Sequence, residues 1–157
     1  MYAELAGFAA SQDAYAVTDP DPTGHSYGKA IENALKDAKL TAADVSLLVP
    51  NGTGIPAADK AELKGIAKAF GDAAGTVPIA ATKAQTGNLA AGCGVDAAVA
   101  VLSIAKNKIP PSVNTASVID GVKLNVSPTA RDAEVKVAVT SVASLGGQNA
   151  ALVFKAI

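Results

Sequence analysis

Two short segments of this 157-residue chain set an asparagine close to glycine, namely Asn51-Gly52-Thr53-Gly54 and Thr82-Lys83-Ala84-Gln85-Thr86-Gly87-Asn88. A carboxamide can donate a hydrogen bond to a developing oxyanion, but it does not exchange a proton at neutral pH. As paired amides, Asn51 and Asn88 invite a ligand-binding reading. Asparagine is also favoured at helix caps and turns, so the alternative is that they cap the loop and the helix that follow them. Cys93 stands between Gly92 and Gly94 in an apolar stretch. That context predicts a small buried core residue rather than a nucleophile. His25, the only histidine, falls in a polar loop and reads as a surface residue. No set of His, Cys, Asp and Glu has the spacing of metal ligands, and no cofactor is expected.

The elements that must hold these residues alternate between strand-like and helix-like patterns, as in an α/β layer fold. Residues 3–10 are a candidate opening strand, and 45–49 (VSLLV) and 77–81 (VPIAA) are short apolar runs of the kind covered on both faces of a sheet. Ala30, Ile31, Ala34, Leu35 and Ala38 follow helical spacing, with Ser26 as the candidate cap. A second amphipathic helix follows Pro56. From Gly87 to about Ala105 the chain is apolar nearly all round, which predicts a helix buried between a sheet and further protein. Residues 109–132 read as irregular. Residues 135–142 and 150–155 flank Ser144-Leu145-Gly146-Gly147 and predict a closing antiparallel pair. One domain, spanning 1–157, is expected.

Composition narrows the function classes. The formal net charge of −1 provides no basic field for nucleic acid or an anionic membrane. The apolar stretch near residues 95–105 is interrupted by Asp96 and Ser103 and is too short to span a bilayer. A single cysteine excludes an intramolecular disulfide and fits a reducing compartment. The opening Met1-Tyr2-Ala3-Glu4 lacks a basic signal-peptide start, so a cytoplasmic protein is expected.

Five segments in order resemble the C-terminal half of the β-ketoacyl-acyl-carrier-protein synthases, thiolase-like condensing enzymes. They are Tyr2-Ala3-Glu4-Leu5-Ala6-Gly7-Phe8; Asn51-Gly52-Thr53-Gly54 with Pro56, Asp59 and Glu62; Thr82 to Asn88; Ile109-Pro110-Pro111-Ser112-Val113-Asn114; and Ser144-Leu145-Gly146-Gly147-Gln148-Asn149. The resemblance implies half of a thiolase fold, a five-stranded mixed sheet with helices on both faces. It also implies that the nucleophilic cysteine belongs to the N-terminal half, so that this chain is either a fragment or works beside a separate N-terminal half.

In such enzymes two histidines assist decarboxylation and condensation, a task suited to imidazole because its pKa lies near neutrality. The resemblance places Asn51 and Asn88 at those two positions, Lys83 at the catalytic lysine and Glu62 as its expected partner; the alternatives are a solvated lysine at a strand end and an exposed helical carboxylate. Leu145 stands for the usual gating phenylalanine and Gln148 for a threonine, in a gating loop that includes Gly146 and Gly147. Losing one general acid/base costs about 10²–10⁴-fold in rate. The implied function is therefore a ketosynthase-like domain of fatty acid or polyketide biosynthesis that does not condense, as in chain-length factors. The alternatives are an acyltransferase or thioester-processing enzyme using a cysteine from the other half, or a scaffold and interaction domain. The implied partners are an N-terminal ketosynthase half or an active ketosynthase, with acyl carrier protein, in a homo- or hetero-oligomer.

Overall fold

A computed structural model describes residues 1–90, 92–115 and 123–157. The chain runs β1 (Glu4–Gln12), α1 (His25–Asp37), β2 (Leu47–Val49), α2 (Pro56–Phe70), β3 (Pro78–Ile79), α3 (Lys83–Thr86), α4 (Gly92–Lys106), β4 (Lys108–Ile109), β5 (Asn125–Val126), β6 (Arg131–Asp132), β7 (Val137–Ser144) and β8 (Gln148–Lys155). Six strands form one mixed sheet in the order β1-β8-β7-β2-β3-β5, and β4 pairs with β6 in a separate ribbon. β1, β8 and β7 are antiparallel, whereas β7, β2, β3 and β5 run parallel.

Strand alternation sorts the core into two layers. On β2, Leu48 joins Ile31, Leu35, Ile66, Phe70, Val139 and Val153 under α1 and α2. Leu47 and Val49 point the other way, into a second layer with Ala100, Ile104, Ile109, Ala138 and Phe154 under α4. Burying each large aliphatic side chain contributes about 1.5–3 kcal/mol, so both faces of this short strand are fixed by packing. Close approach by glycine brings the outer elements in. A Cβ on Gly7 of β1 would lie 2.4 Å from the Ala34 carbonyl of α1, and one on Gly65 of α2 would lie 2.8 Å from the Gly24 carbonyl.

The expected α/β half-thiolase architecture is present, with several local differences. The sheet has six strands rather than five because residues 125–126, inside the segment expected to be irregular, add a short parallel edge to β3. Residues 116–122 of that segment lie outside the described residues. Ser26 does not cap α1. The cap position is Gly24, and the Ser26 hydroxyl instead donates to the Gln12 carbonyl at 3.1 Å, tying the helix to β1. α4 starts at Gly92 rather than Gly87, after a turn that follows α3; Ala91, within the expected helix, lies outside the described residues. Its buried positions Gly92, Asp96, Ala100, Ser103 and Ile104 form one stripe, while Val95 and Leu102 on the opposite side are exposed. Among the described residues, no helix is long and apolar enough to cross a membrane.

Candidate functional site

The loop after β2 is shaped by two carboxylates one turn apart on α2. The amides of Asn51 and Gly52 donate to Glu62 Oε1 and Oε2 at 2.6 and 2.8 Å. Those of Thr53 and Gly54 donate to Asp59 Oδ1 and Oδ2, both at 3.0 Å. Four consecutive N–H groups are thus satisfied by side chains three residues apart, the spacing that puts two helical residues on one face. Gly52 and Gly54 have φ of 50° and 79°, a left-handed backbone that only glycine adopts cheaply. The Asn51 side chain caps nothing; its Nδ2 reaches the Ala143 carbonyl of β7 at 3.4 Å.

Glu62 is buried and does not pair with Lys83, contrary to expectation. Its other partner is the Tyr27 hydroxyl of α1, which also lies 2.7 Å from Ser141 Oγ of β7. Burial raises the Glu62 pKa above its ordinary value, against the lowering effect of the bonds from Tyr27, Gly52 and Asn51. The Tyr27 pKa is pushed well up, first by burial and then by the neighbouring Glu62 charge.

Lys83 instead pairs with Asp96 of α4, which also accepts from the Thr82 hydroxyl. The two charged side chains are 4% and 2% exposed, so each ion depends on the other for compensation. The reason for the difference lies in the fold. α3 starts beneath α4, and the Glu62 carboxylate is already engaged by two loop amides. Asp96 is the only charged residue from Gly87 to Ala105. A lone carboxylate in such a helix signals a buried partner, and that signal was available in the sequence. Tyr27 and Ser141 carry no comparable local signal, because their contacts join elements far apart in the sequence.

Asn51, Lys83 and Asn88 line one open cavity of about 590 Å³. Asn88 is exposed and lies in the turn before α4, four residues ahead of its first residue, so it does not cap that helix. Leu145 and Gly147 line the same cavity from the β7–β8 turn, and Leu145 is 73% exposed. Gly146 donates its N–H to the Val17 carbonyl at 2.7 Å, which holds this turn against the loop after β1. Glu62 stands behind the loop rather than in the wall. Asp19 and Cys93 also line the cavity, and nothing in the sequence assigned either of them to a site. Cys93 is exposed rather than buried in the core, because Gly92 and Asp96 take the inward stripe of α4 and turn position 93 towards the cavity. His25 is the exposed first residue of α1 and is not among the cavity residues. Among the described residues, no group of three His, Cys, Asp or Glu could hold a metal ion.

A half-thiolase sheet thus carries an asparagine loop held by two carboxylates and a lysine buried against an aspartate, and Asn51 and Lys83 meet at one cavity. Residues 2–116 match the family described as β-ketoacyl synthase, C-terminal domain, and the chain belongs to that family. It is similar to 3-oxoacyl-(acyl-carrier-protein) synthase 2 of Vibrio harveyi, 38% identical over 160 residues that cover 100% of this chain and 39% of the relative. The enzyme of the same name from Staphylococcus aureus is 36% identical over 157 residues, covering 99% of this chain and 39% of that protein. The chain therefore spans well under half the length of these relatives.

Among solved structures, the chain superposes on a type II polyketide ketosynthase in complex with its acyl-carrier protein, with a TM-score of 0.94 and 27% identity over 99% of this chain and 39% of the other. It superposes on the ishigamide ketosynthase/chain length factor with a TM-score of 0.92 and 28% identity, over 99% of this chain and 38% of that one.

Proposed function

We propose that this chain is the C-terminal domain of a ketosynthase-like protein that shapes an acyl-binding cavity without condensing malonyl extenders. One observation carries the reading: Asn51 and Asn88 share a cavity with a Lys83 already committed to Asp96. Carboxamides there can orient a thioester carbonyl, but they cannot take and return a proton at neutral pH. Residues 1–157 act as a single domain whose cavity is completed by an N-terminal ketosynthase half or by an active ketosynthase, with acyl carrier protein as the source of the acyl group. The open cavity and the exposed side of α4 support that arrangement.

The test is to give the full-length protein radiolabelled malonyl- and acyl-carrier-protein. Acyl binding with no ketoacyl product is expected. Robust ketoacyl product overturns the reading. The synthase names of the similar proteins favour a second reading, acyl transfer through a cysteine outside this chain. In that case acyl loading is efficient, and its sensitivity to Asn51→Ala and Asn88→Ala reports whether the amides take part.

A further inference from the structure

We propose that Tyr27 is a positioning residue for the cavity: by donating its hydroxyl proton to Glu62, it keeps that carboxylate charged and aimed at the Asn51 and Gly52 amides, and so sets where the Asn51 side chain stands. The inference rests on reading the cavity as an acyl-thioester site. The geometry is a relay across four elements. Tyr27 comes from α1, Glu62 from α2, Ser141 from β7, and the held amides from the loop after β2. Tyr27 and Glu62 are only 4% and 7% exposed.

The groups facing the carboxylate explain why the phenol matters. On its own helix Asp59 is the nearest charge, and it opposes ionisation of Glu62. A small cavity of about 20 Å³ beside Glu62 is lined by Asp13 and Asp21 from the loop after β1, by Ala143 of β7 and by Asn149 of β8, with no lysine or arginine among its residues. From α1 the facing group is Tyr27, and from β7 it is Ser141 beyond it. Glu62 is thus a buried carboxylate facing other carboxylates and held charged by neutral donors alone. Removing one of three donors to a buried anion favours its protonation. A protonated Glu62 carries a hydroxyl hydrogen on one oxygen, and one of the two loop amides then loses its acceptor. Asn51 is the first residue of that loop to move.

The full-length protein, labelled with nitrogen-15 at asparagine and glycine and with carbon-13 in its tyrosine rings, is titrated by NMR from about pH 4 to about pH 9, across the carboxylate range and above it. The Asn51 and Gly52 amide signals are expected to shift together at one midpoint above the ordinary glutamate value. In Tyr27→Phe that midpoint is expected to move to higher pH. An unchanged or lower midpoint overturns the inference, as does a wild type whose two amides do not titrate together. Should Tyr27→Phe not fold, the wild type decides. Tyr27 ring signals that shift at the amide midpoint uphold the relay, and a midpoint not shared with the amides overturns it. Binding of an acyl-pantetheine thioester is measured alongside. A wild type that binds none, with the amides titrating as expected, sinks the acyl-site reading and leaves the positioning role standing. Where the thioester binds, Tyr27→Phe is expected to weaken it about fivefold, the effect of one hydrogen bond.

Discussion

Lys83 and Asp96 illustrate how much a single side chain can determine at this site. Both are almost fully buried, and removing one partner of such a pair costs about 3–5 kcal/mol because the other ion is left uncompensated. Lys83→Met is therefore expected to lower the unfolding free energy by that order in urea denaturation. Lys83→Met combined with Asp96→Leu is expected to recover most of the loss, and a double variant as unstable as the single would refute the pairing as the cause. Glu62 gives a prediction of opposite character. Its folded-state pKa lies above the ordinary value, so the folded protein binds that proton more tightly than the unfolded chain does. Stability should fall as pH rises from the ordinary glutamate value through the raised one. In Glu62→Gln this slope should flatten, while stability at neutral pH drops by about 1–3 kcal/mol because one carbonyl oxygen replaces two acceptors. Denaturation midpoints measured across that pH window check both statements.

At the scale of elements, α1 and α2 meet where Gly65 lies against the backbone of Gly24 and Gly28, with no room for a methyl group. Gly65→Ala is expected to destabilise by about 1–3 kcal/mol through overpacking, although alanine is the better helix former. A gain in thermal midpoint would show that the two helices separate easily. The elements also show what was readable in advance. β2 and the β7–β8 pair were legible because apolar runs and a glycine turn are local signals, and α2 was legible from Pro56 and its spacing. The start of α4 was not, because the residues after Asn88 are apolar whether they form a turn or a helix. The same ambiguity hid the orientation of Cys93. The loop around Asn51 was legible as a site only through its likeness to a family, since its shape depends on Glu62 and Asp59, which reach it from a neighbouring helix.

At the scale of the whole molecule, large apolar side chains stay exposed on both β1 and α4. Leu5 and Phe8 of β1 and Val95 and Leu102 of α4 are all more than a third exposed, and the relatives extend far beyond the length of this chain. Exposed apolar surface of this kind drives association. Expressed alone, residues 1–157 are expected to self-associate, with Phe8→Ser and Leu102→Ser shifting the protein towards monomer in sedimentation velocity. A clean monomer at high concentration would count against it.

The two carboxylates of α2 grip the main chain of the 51–54 loop and leave the side chain at position 51 out of the grip. Form and reactivity are thereby separated at this corner of the molecule. The path of the loop is written in Glu62, Asp59 and two glycines, whereas its chemical character is written in one interchangeable residue. A collection of substitutions at Asn51 should return proteins that fold alike yet differ in what their cavity can hold, which makes this position a natural place to install new reactivity without rebuilding the scaffold.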